Sequence, residues 1–315
     1  MSLFRRKKDR LKPEESELLQ SDAEDRKQET GIPKTGAPQT GTAGQSGAGK
    51  TQAPQTLSGS RVKRLLSYQV ANLQGVGARA RQEDSFTVAN AFDVTEIKEK
   101  GLLFVVCDGM GGMKDGKVAS ETAIASIRNS FVEMDRSGNL AEQLKDSIYR
   151  AADEVERALG GDGGSTVVAC IIFEEKLYFA SVGDSFLYLK RGNSLYRLNH
   201  EHNLCNQIFR ETIQSGSADP TEGLNSPEAV ALTQFLGMSG ISEVDYLKKP
   251  YILQDGDVLL ACSDGVGGVL TEREVQDALS QNTSQKMCVM LEQGIVAHDK
   301  KHQDNYTALV VKCMY

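Results

Sequence analysis

Two rhythms of hydrophobic and polar positions run along this chain from about residue 62 onward, and they place its elements. Short runs rich in β-branched and aromatic residues, closed off by Gly, Asn or paired acids, predict strands over residues 68–73, 84–91, 102–107, 166–173, 176–182, 186–190, 194–198 and 306–312. The four runs between residues 166 and 198 are separated only by turn signals at Glu174-Glu175, Gly183-Asp184 and Arg191-Gly192-Asn193, which predicts an antiparallel meander. Apolar residues at helical spacing (Val118, Ala119, Ala123, Ile124, Ile127) predict a helix over residues 116–131, and a second amphipathic pattern fills 140–159. Thr271-Glu272-Arg273-Glu274 has the form of a capping box, and a further helix is expected over 284–296. Residues 203–231 read as irregular apart from Ser226-Pro227-Glu228, an N-cap and first-turn proline for a short helix; a segment this long inside a compact domain is expected to lie beside a cleft as a flap. Helices grouped between antiparallel strand runs imply an α+β layered sandwich.

The first 60 residues lack either rhythm and are rich in Gly, Thr, Gln, Ser, Pro and charge. They predict a disordered tail, 1–60, ahead of one domain, 61–315. Inside the tail, Gly44-Gln-Ser-Gly-Ala-Gly49-Lys50-Thr51 satisfies the phosphate-loop pattern, but Pro33 and Pro38 before it and Pro54 after it leave no strand to deliver the loop and no helix to receive the phosphate. The chain has 315 residues, 39% of them hydrophobic, and a formal net charge of −7, a poor match for a nucleic-acid backbone. No apolar run reaches the roughly 20 residues that a membrane-spanning helix needs. The basic start Arg5-Arg6-Lys7-Lys8 leads into charge instead of an apolar stretch, unlike a secretory signal, so a cytoplasmic location is expected. Six scattered cysteines without a C-x-x-C pair suit reduced core positions.

Chemistry concentrates at three strand ends. Asp108 follows Leu102-Leu-Phe-Val-Val-Cys107, Asp264 follows Val258-Leu-Leu-Ala-Cys-Ser263, and Asp304 precedes Asn305-Tyr-Thr-Ala-Leu-Val-Val311. Asp108 and Asp264 are each followed by Gly, which suggests an acid presented on a tight glycine turn. One such acid is an ordinary turn residue. Three brought together by one fold would repel one another unless compensated, and oxygen-only donors favour magnesium or manganese as the compensating charge.

At these residues the chain resembles the protein phosphatase 2C family, over residues 62–315. Gly77-Ala-Arg79-Ala-Arg-Gln82-Glu83-Asp84-Ser85 is similar to the family's opening motif, with Gln82 where Asn is common, and Val106-Cys-Asp108-Gly109-Met110-Gly-Gly112 to the second. Gly164-Ser165-Thr166, Ser181-Val-Gly183-Asp184-Ser185, Cys262-Ser-Asp264-Gly265 and Asp304-Asn305-Tyr306-Thr307 follow in order. The resemblance implies a four-layer αββα sandwich of bacterial type that hydrolyses phosphoserine and phosphothreonine esters with a water activated by two magnesium or manganese ions. It implies that Asp108 bridges the two metals, that the Gly109 carbonyl completes the first site with support from Asp84, and that Asp264 and Asp304 hold the second. Glu83 would stand behind them and Arg79 would bind the substrate phosphate, a task suited to a guanidinium fork. Asp184 would serve a weaker third metal, since Gly268 stands where several relatives carry an acid. Met110 occupies a position where some relatives carry His. His202, in Leu198-Asn-His-Glu-His202, is expected as a hydrogen-bonded structural histidine.

The partners so implied are phosphoproteins made by a serine/threonine kinase, met by a monomeric enzyme. The sequence offers no competing nucleophile, having neither a Cys-x5-Arg loop nor a G-x-S-x-G elbow. The rival function is a pseudophosphatase acting as a phosphoprotein-binding module, from which loss of metal-binding acids would be expected.

Overall fold

The computed structural model describes residues 66–111, 115–216 and 228–315; the predicted tail with its phosphate-loop pattern, and the Ser226-Pro227 helix start, lie outside the described residues. With strands numbered in chain order, one sheet runs β1 (Ser67–Gly75), β13 (Tyr306–Met314), β12 (Val258–Cys262), β8 (Phe186–Arg191), β9 (Ser194–Arg197). The other runs β10 (Asp245–Tyr246), β7 (Lys176–Val182), β6 (Val167–Phe173), β3 (Leu102–Cys107), β2 (Ser85–Ala89), with β11 (Tyr251–Ile252) also on β7. Neighbours in both are antiparallel. A small pair, β4 (Gly109–Gly111) with β5 (Gly163–Ser165), follows Asp108.

Strand side chains alternate between faces, so a strand buried on both sides must be apolar throughout, and that is why β3, β6, β12 and the middle of β13 read as unbroken hydrophobic runs. Leu102, Phe104, Val168, Cys170, Leu259, Ala261, Leu309 and Val311 fill the core between the sheets. Leu103, Val105, Val167 and Ala169 point the other way, into a core shared with helices α2 (Asp115–Glu133) and α3 (Leu140–Leu159). Leu260, Cys262, Ala308 and Val310 meet α6 (Glu272–Ala278) and α7 (Ser284–Ala297) on the far side. The result is the four-layer αββα sandwich. The capping box at Thr271 and Glu274 forms as expected.

Two expectations need correction, and one element is new. The run from residue 166 to 198 is not one meander: β6 and β7 pair in one sheet, β8 and β9 in the other, and the chain crosses between sheets at Gly183, whose φ of +103° suits glycine. Residues 203–231 are not irregular throughout. They open with α4 (Leu204–Ser215), capped by the Asn203 side chain, which accepts from the Asn206 amide at 2.9 Å, and closed by Gly216 in the left-handed conformation. Its Leu204, Ile208, Phe209 and Ile213 are helically spaced, but the stripe faces little core, with Phe209 and Ile213 exposed. A short helix, α1 (Val94–Lys100), capped by Asp93, was not foreseen.

Candidate active site

Antiparallel pairing sets the start of one strand beside the end of its neighbour. Ser85 pairs with Cys107, and Cys262 with Ala308, so Asp84, Asp108, Asp264 and Asp304, each just beyond these strand ends, gather at one edge of the sandwich. Val182 pairs with Val167 and Phe186 with Cys262, which brings Asp184, between β7 and β8, to the same edge. Register thus places five of the predicted acids, and the Gly109 carbonyl that follows Asp108, at strand ends of the two sheets, and the docking of the sheets brings those ends together.

The two Asp-Gly pairs are there for a different reason from the one the sequence suggested. Neither Gly109 nor Gly265 has a positive φ. A Cβ on Gly109 would lie 2.0 Å from the Gly116 carbonyl oxygen, and one on Gly265 would lie 1.8 Å from that of Asn305. Glycine lets two backbones touch directly behind each acid. Gly265 opens the short helix α5 (Asp264–Gly267) immediately after its acid.

Burial makes the cluster electrostatically costly. Asp84 is 1% exposed and Asp108 4%. Loss of solvent pushes the Asp84 carboxyl up to about 6; hydrogen bonds from the Ser263 and Thr307 hydroxyls work against that, and the neighbouring Asp264 and Asp304 add repulsion. Burial likewise raises the Cys107 thiol, with Asp84 and Asp108 contributing. Ser263 Oγ donates to Asp84 Oδ2 at 2.8 Å, while Asp84 Oδ1 is buried without a hydrogen-bond partner. An acceptor-only oxygen buried in this way among other carboxylates suits a hard cation.

Side chains from distant parts of the chain hold these acids in place. Asn305 accepts from the Glu83 amide at 2.7 Å and donates to the carbonyls of Val76 at 2.8 Å and Arg81 at 2.9 Å, sewing the β1–β2 loop to the start of β13. Gln82 accepts from the Asp84 amide and donates to the Gly75 carbonyl, both at 2.9 Å, so the Gln in place of Asn still closes the turn. Ser120 donates to the Glu83 carbonyl at 2.6 Å, and Lys117 to the Asp84 carbonyl at 3.0 Å. Across the edge, Thr166 Oγ1 accepts from the Asp108 amide at 3.1 Å and lies 2.7 Å from Ser185 Oγ.

Glu83 stands behind the cluster with its side chain against Gly116. Arg79 reaches the edge but lies on an acid: its guanidinium donates to Asp304 Oδ2 at 2.5 Å. Asp304 is thus turned towards Arg79, and among the described residues no three His, Cys, Asp or Glu side chains already form a metal cage. The fit to a divalent cation rests on donor chemistry and on the repulsion just described. His202, 2% exposed, sets Nδ1 3.2 Å from the Gly183 amide nitrogen and 3.3 Å from the Gly183 carbonyl oxygen; burial lowers its pKa and so favours the neutral ring. It supports the Asp184 turn. A Cβ on Gly268 would come within 2.8 Å of the Asp264 carbonyl oxygen, so an acid there would press on the turn that presents Asp264.

Ser263, Ser120, Thr166 and Asn305 fall within the motifs read from sequence, but no bonding role was read for them, and Lys117 was not singled out. A signal was available in Ser263 and Asn305, which sit directly beside Asp264 and Asp304.

Residues 68–208 match the family model described as Protein phosphatase 2C. A serine/threonine phosphatase, stp, of Listeria welshimeri is 32% identical over 231 residues, covering 70% of this chain and 87% of the relative. Protein phosphatase PhpP of Streptococcus pneumoniae is 26% identical over 187 residues, covering 57% of this chain and 73% of its own. Among solved structures, the PPM Ser-Thr phosphatase MsPP of Mycobacterium smegmatis in complex with cacodylate superposes with a TM-score of 0.61 at 25% identity, over 77% of this chain and 97% of that one. The catalytic domain of the serine threonine protein phosphatase PstP in complex with two manganese ions superposes with a TM-score of 0.62 at 21% identity, over 79% of this chain and 100% of that one.

Proposed function

This chain belongs to the protein phosphatase 2C family, and from that membership we propose which of its residues do the family's chemistry. The protein is a metal-dependent serine/threonine phosphoprotein phosphatase, a phosphoric monoester hydrolase that uses magnesium or manganese. Asp108 and the Gly109 carbonyl, with Asp84, would hold one cation, and Asp108, Asp264 and Asp304 would hold the other. When bound, such a pair supplies an activated water and neutralises charge on the phosphate during in-line attack.

The residues of the chain do the rest. Ser263 fixes Asp84 Oδ2 and so aims Oδ1 into the cluster. Asn305 and Gln82 hold the loop that carries Glu83 and Asp84. Arg79, about half exposed at the rim, moves from Asp304 to the substrate phosphate, exchanging a carboxylate for a group that its fork fits equally well. Asp184 would hold a weaker third cation. Phosphoproteins are the substrates; we assign their phosphorylation to a serine/threonine kinase, and the enzyme to the cytoplasm as a monomer. No helix among the described residues is long and apolar enough to cross a membrane.

The observation that carries the metal assignment is the buried, unpartnered Oδ1 of Asp84 beside Asp264 and Asp304. Manganese-dependent release of phosphate from p-nitrophenyl phosphate, together with manganese-dependent thermal stabilisation, tests it. Stabilisation without turnover would support a binding module instead of an enzyme.

A further inference from the structure

The proposal concerns which phosphoproteins this site takes, and it rests on the phosphatase assignment. Two loops flank Asp304, residues 76–83 and residues 298–303, and they interlock. The Ala78 amide donates to the Gln303 carbonyl at 2.8 Å, and Asn305 ties the Val76 and Arg81 carbonyls to the same junction. A Cβ on Gly77 would lie 2.3 Å from the Asp304 carbonyl oxygen, so the two backbones are in contact.

These loops are basic in a chain whose net charge is −7. They carry Arg79, Arg81, Lys300 and Lys301, all exposed, with His302 exposed beside them. The acids in the same loops are Asp299 and Glu83, and the Glu83 side chain is turned inward against Gly116. Lys300 donates to the Gly268 carbonyl at 3.3 Å, which sets its ammonium beside the turn that presents Asp264. Lys301 is exposed, with its charge open to solvent. The positive charge is therefore concentrated at the rim through which a substrate must approach, while the site beneath it is acidic.

We propose that this rim selects phosphoserine and phosphothreonine sites flanked by aspartate or glutamate, with Lys300 and Lys301 as the specificity-determining residues. Lys301 and Lys300 stand three and four residues before Asp304 in the chain, which at about 3.6 Å per residue limits their backbone to roughly 14 Å from it. An extended peptide covers that distance in about four residues, so acids within roughly four positions of the phosphorylated residue fall opposite the lysines. Charges at an exposed rim steer encounter more than they tighten binding, and salt screens them.

The test uses the full-length enzyme with manganese and three phosphothreonine peptides, identical except for Glu, Ala or Lys at the flanking positions. The Glu peptide is expected to show a kcat/KM about five- to tenfold above the Ala peptide at low ionic strength, as two or three exposed ion pairs of modest strength would give. The Lys peptide should fall below both, and the spread should shrink in 0.5 M salt. Lys300→Ala/Lys301→Ala should erase the preference, and Lys301→Glu, which leaves the Lys300 hydrogen bond intact, should reverse it. Lys301→Glu, which leaves that hydrogen bond in place, should hydrolyse p-nitrophenyl phosphate within about twofold of wild type, since a small ester carries no flanking charge to meet it. Equal kcat/KM on the three peptides, or a preference for Glu that survives in both variants, would overturn the proposal and leave the phosphatase assignment standing. No turnover on any of these substrates would overturn both.

Discussion

The acid-bearing edge has two halves, and they are held together in different ways. Around Asp84, Asp264 and Asp304 the retaining bonds join residues far apart in the chain: Ser263 to Asp84 across 179 positions, and Asn305 to Glu83 and Val76 across 222 and 229. Around Asp108 and Asp184 they are shorter in reach, with Thr166 to the Asp108 amide across 58 positions and to Ser185, or Gly183 to His202, across 19. The first half exists only once the two sheets have docked, because β1, β2, β12 and β13 must all be in place. In the second, Thr166 ties the neighbouring strands β3 and β6, and its contact with Ser185 and that of His202 with Gly183 hold the short crossover from β7 to β8. Access cuts across these halves, since Asp304 and Arg79 are open to substrate while Asp84 and Asp108 are closed in. Precise placement of the buried acids and a movable cation at the rim are therefore assigned to different residues.

The largest effect should come from removing an acid that both halves need. Asp108→Asn and Asp264→Asn should each lower turnover by about 100-fold or more with the fold retained, since each takes a charged donor from the proposed cation pair. Turnover within about twofold of wild type for either variant, at matched manganese, would break the assignment.

The contrast in sequence distance predicts a difference in stability. Asn305→Ala leaves the Glu83 amide and the Val76 and Arg81 carbonyls without their partner, and Asn305 is buried, so a loss of about 2–4 kcal/mol is expected. Thr166→Ala removes the acceptor of one amide and a hydroxyl contact, and about 1–2 kcal/mol should suffice. Urea denaturation of both variants measures the difference. Equal losses would mean that the long-range half has no special dependence on Asn305.

This difference also explains how much was legible from sequence. Apolar runs bounded by turn signals placed β3 and β7 to the residue, a helical period placed α3, and the acids at strand ends followed from the strands. What could not be read was pairing between distant segments: that β8 leaves the sheet of β7, or that Asn305 bonds to residues more than 220 positions away. Polar residues such as Ser263 and Thr166 carry no periodic signal, because their role depends on what the fold brings opposite them. Helix α4 was missed for the opposite reason, since its apolar stripe is real but faces little core.

At the open rim, Arg79→Ala should leave stability almost unchanged, within about 1 kcal/mol, because a half-exposed ion pair is screened by solvent. Its effect should fall on substrate: a KM raised about tenfold, with kcat changed less, as expected when a phosphate contact present in both ground and transition states is lost. A fall in kcat at unchanged KM would instead assign Arg79 to charge that develops only in the transition state.

The smallest predicted effect tests the local half through His202. Its imidazole is buried with Nδ1 against the Gly183 backbone, and desolvation holds its pKa below the usual value; Glu243, the Gly183 carbonyl and Asp245 pull the other way and Arg210 reinforces the lowering. The unfolded chain, with an ordinary histidine pKa near 6.5, therefore binds this proton more readily than the folded one. Stability owed to the neutral imidazole is complete above about pH 6.5 and declines as the pH falls below it, with a slope from this one proton no steeper than about 1.4 kcal/mol per pH unit. His202→Gln can keep an acceptor near Gly183 but does not titrate. Unfolding free energies in chelator from pH 7.5 to 5 should then fall less steeply for the variant than for wild type, the acidic groups common to both cancelling in the difference. Parallel curves would show that His202 takes up its proton in the folded state as easily as in the unfolded one, and that the Asp184 turn does not depend on a neutral imidazole.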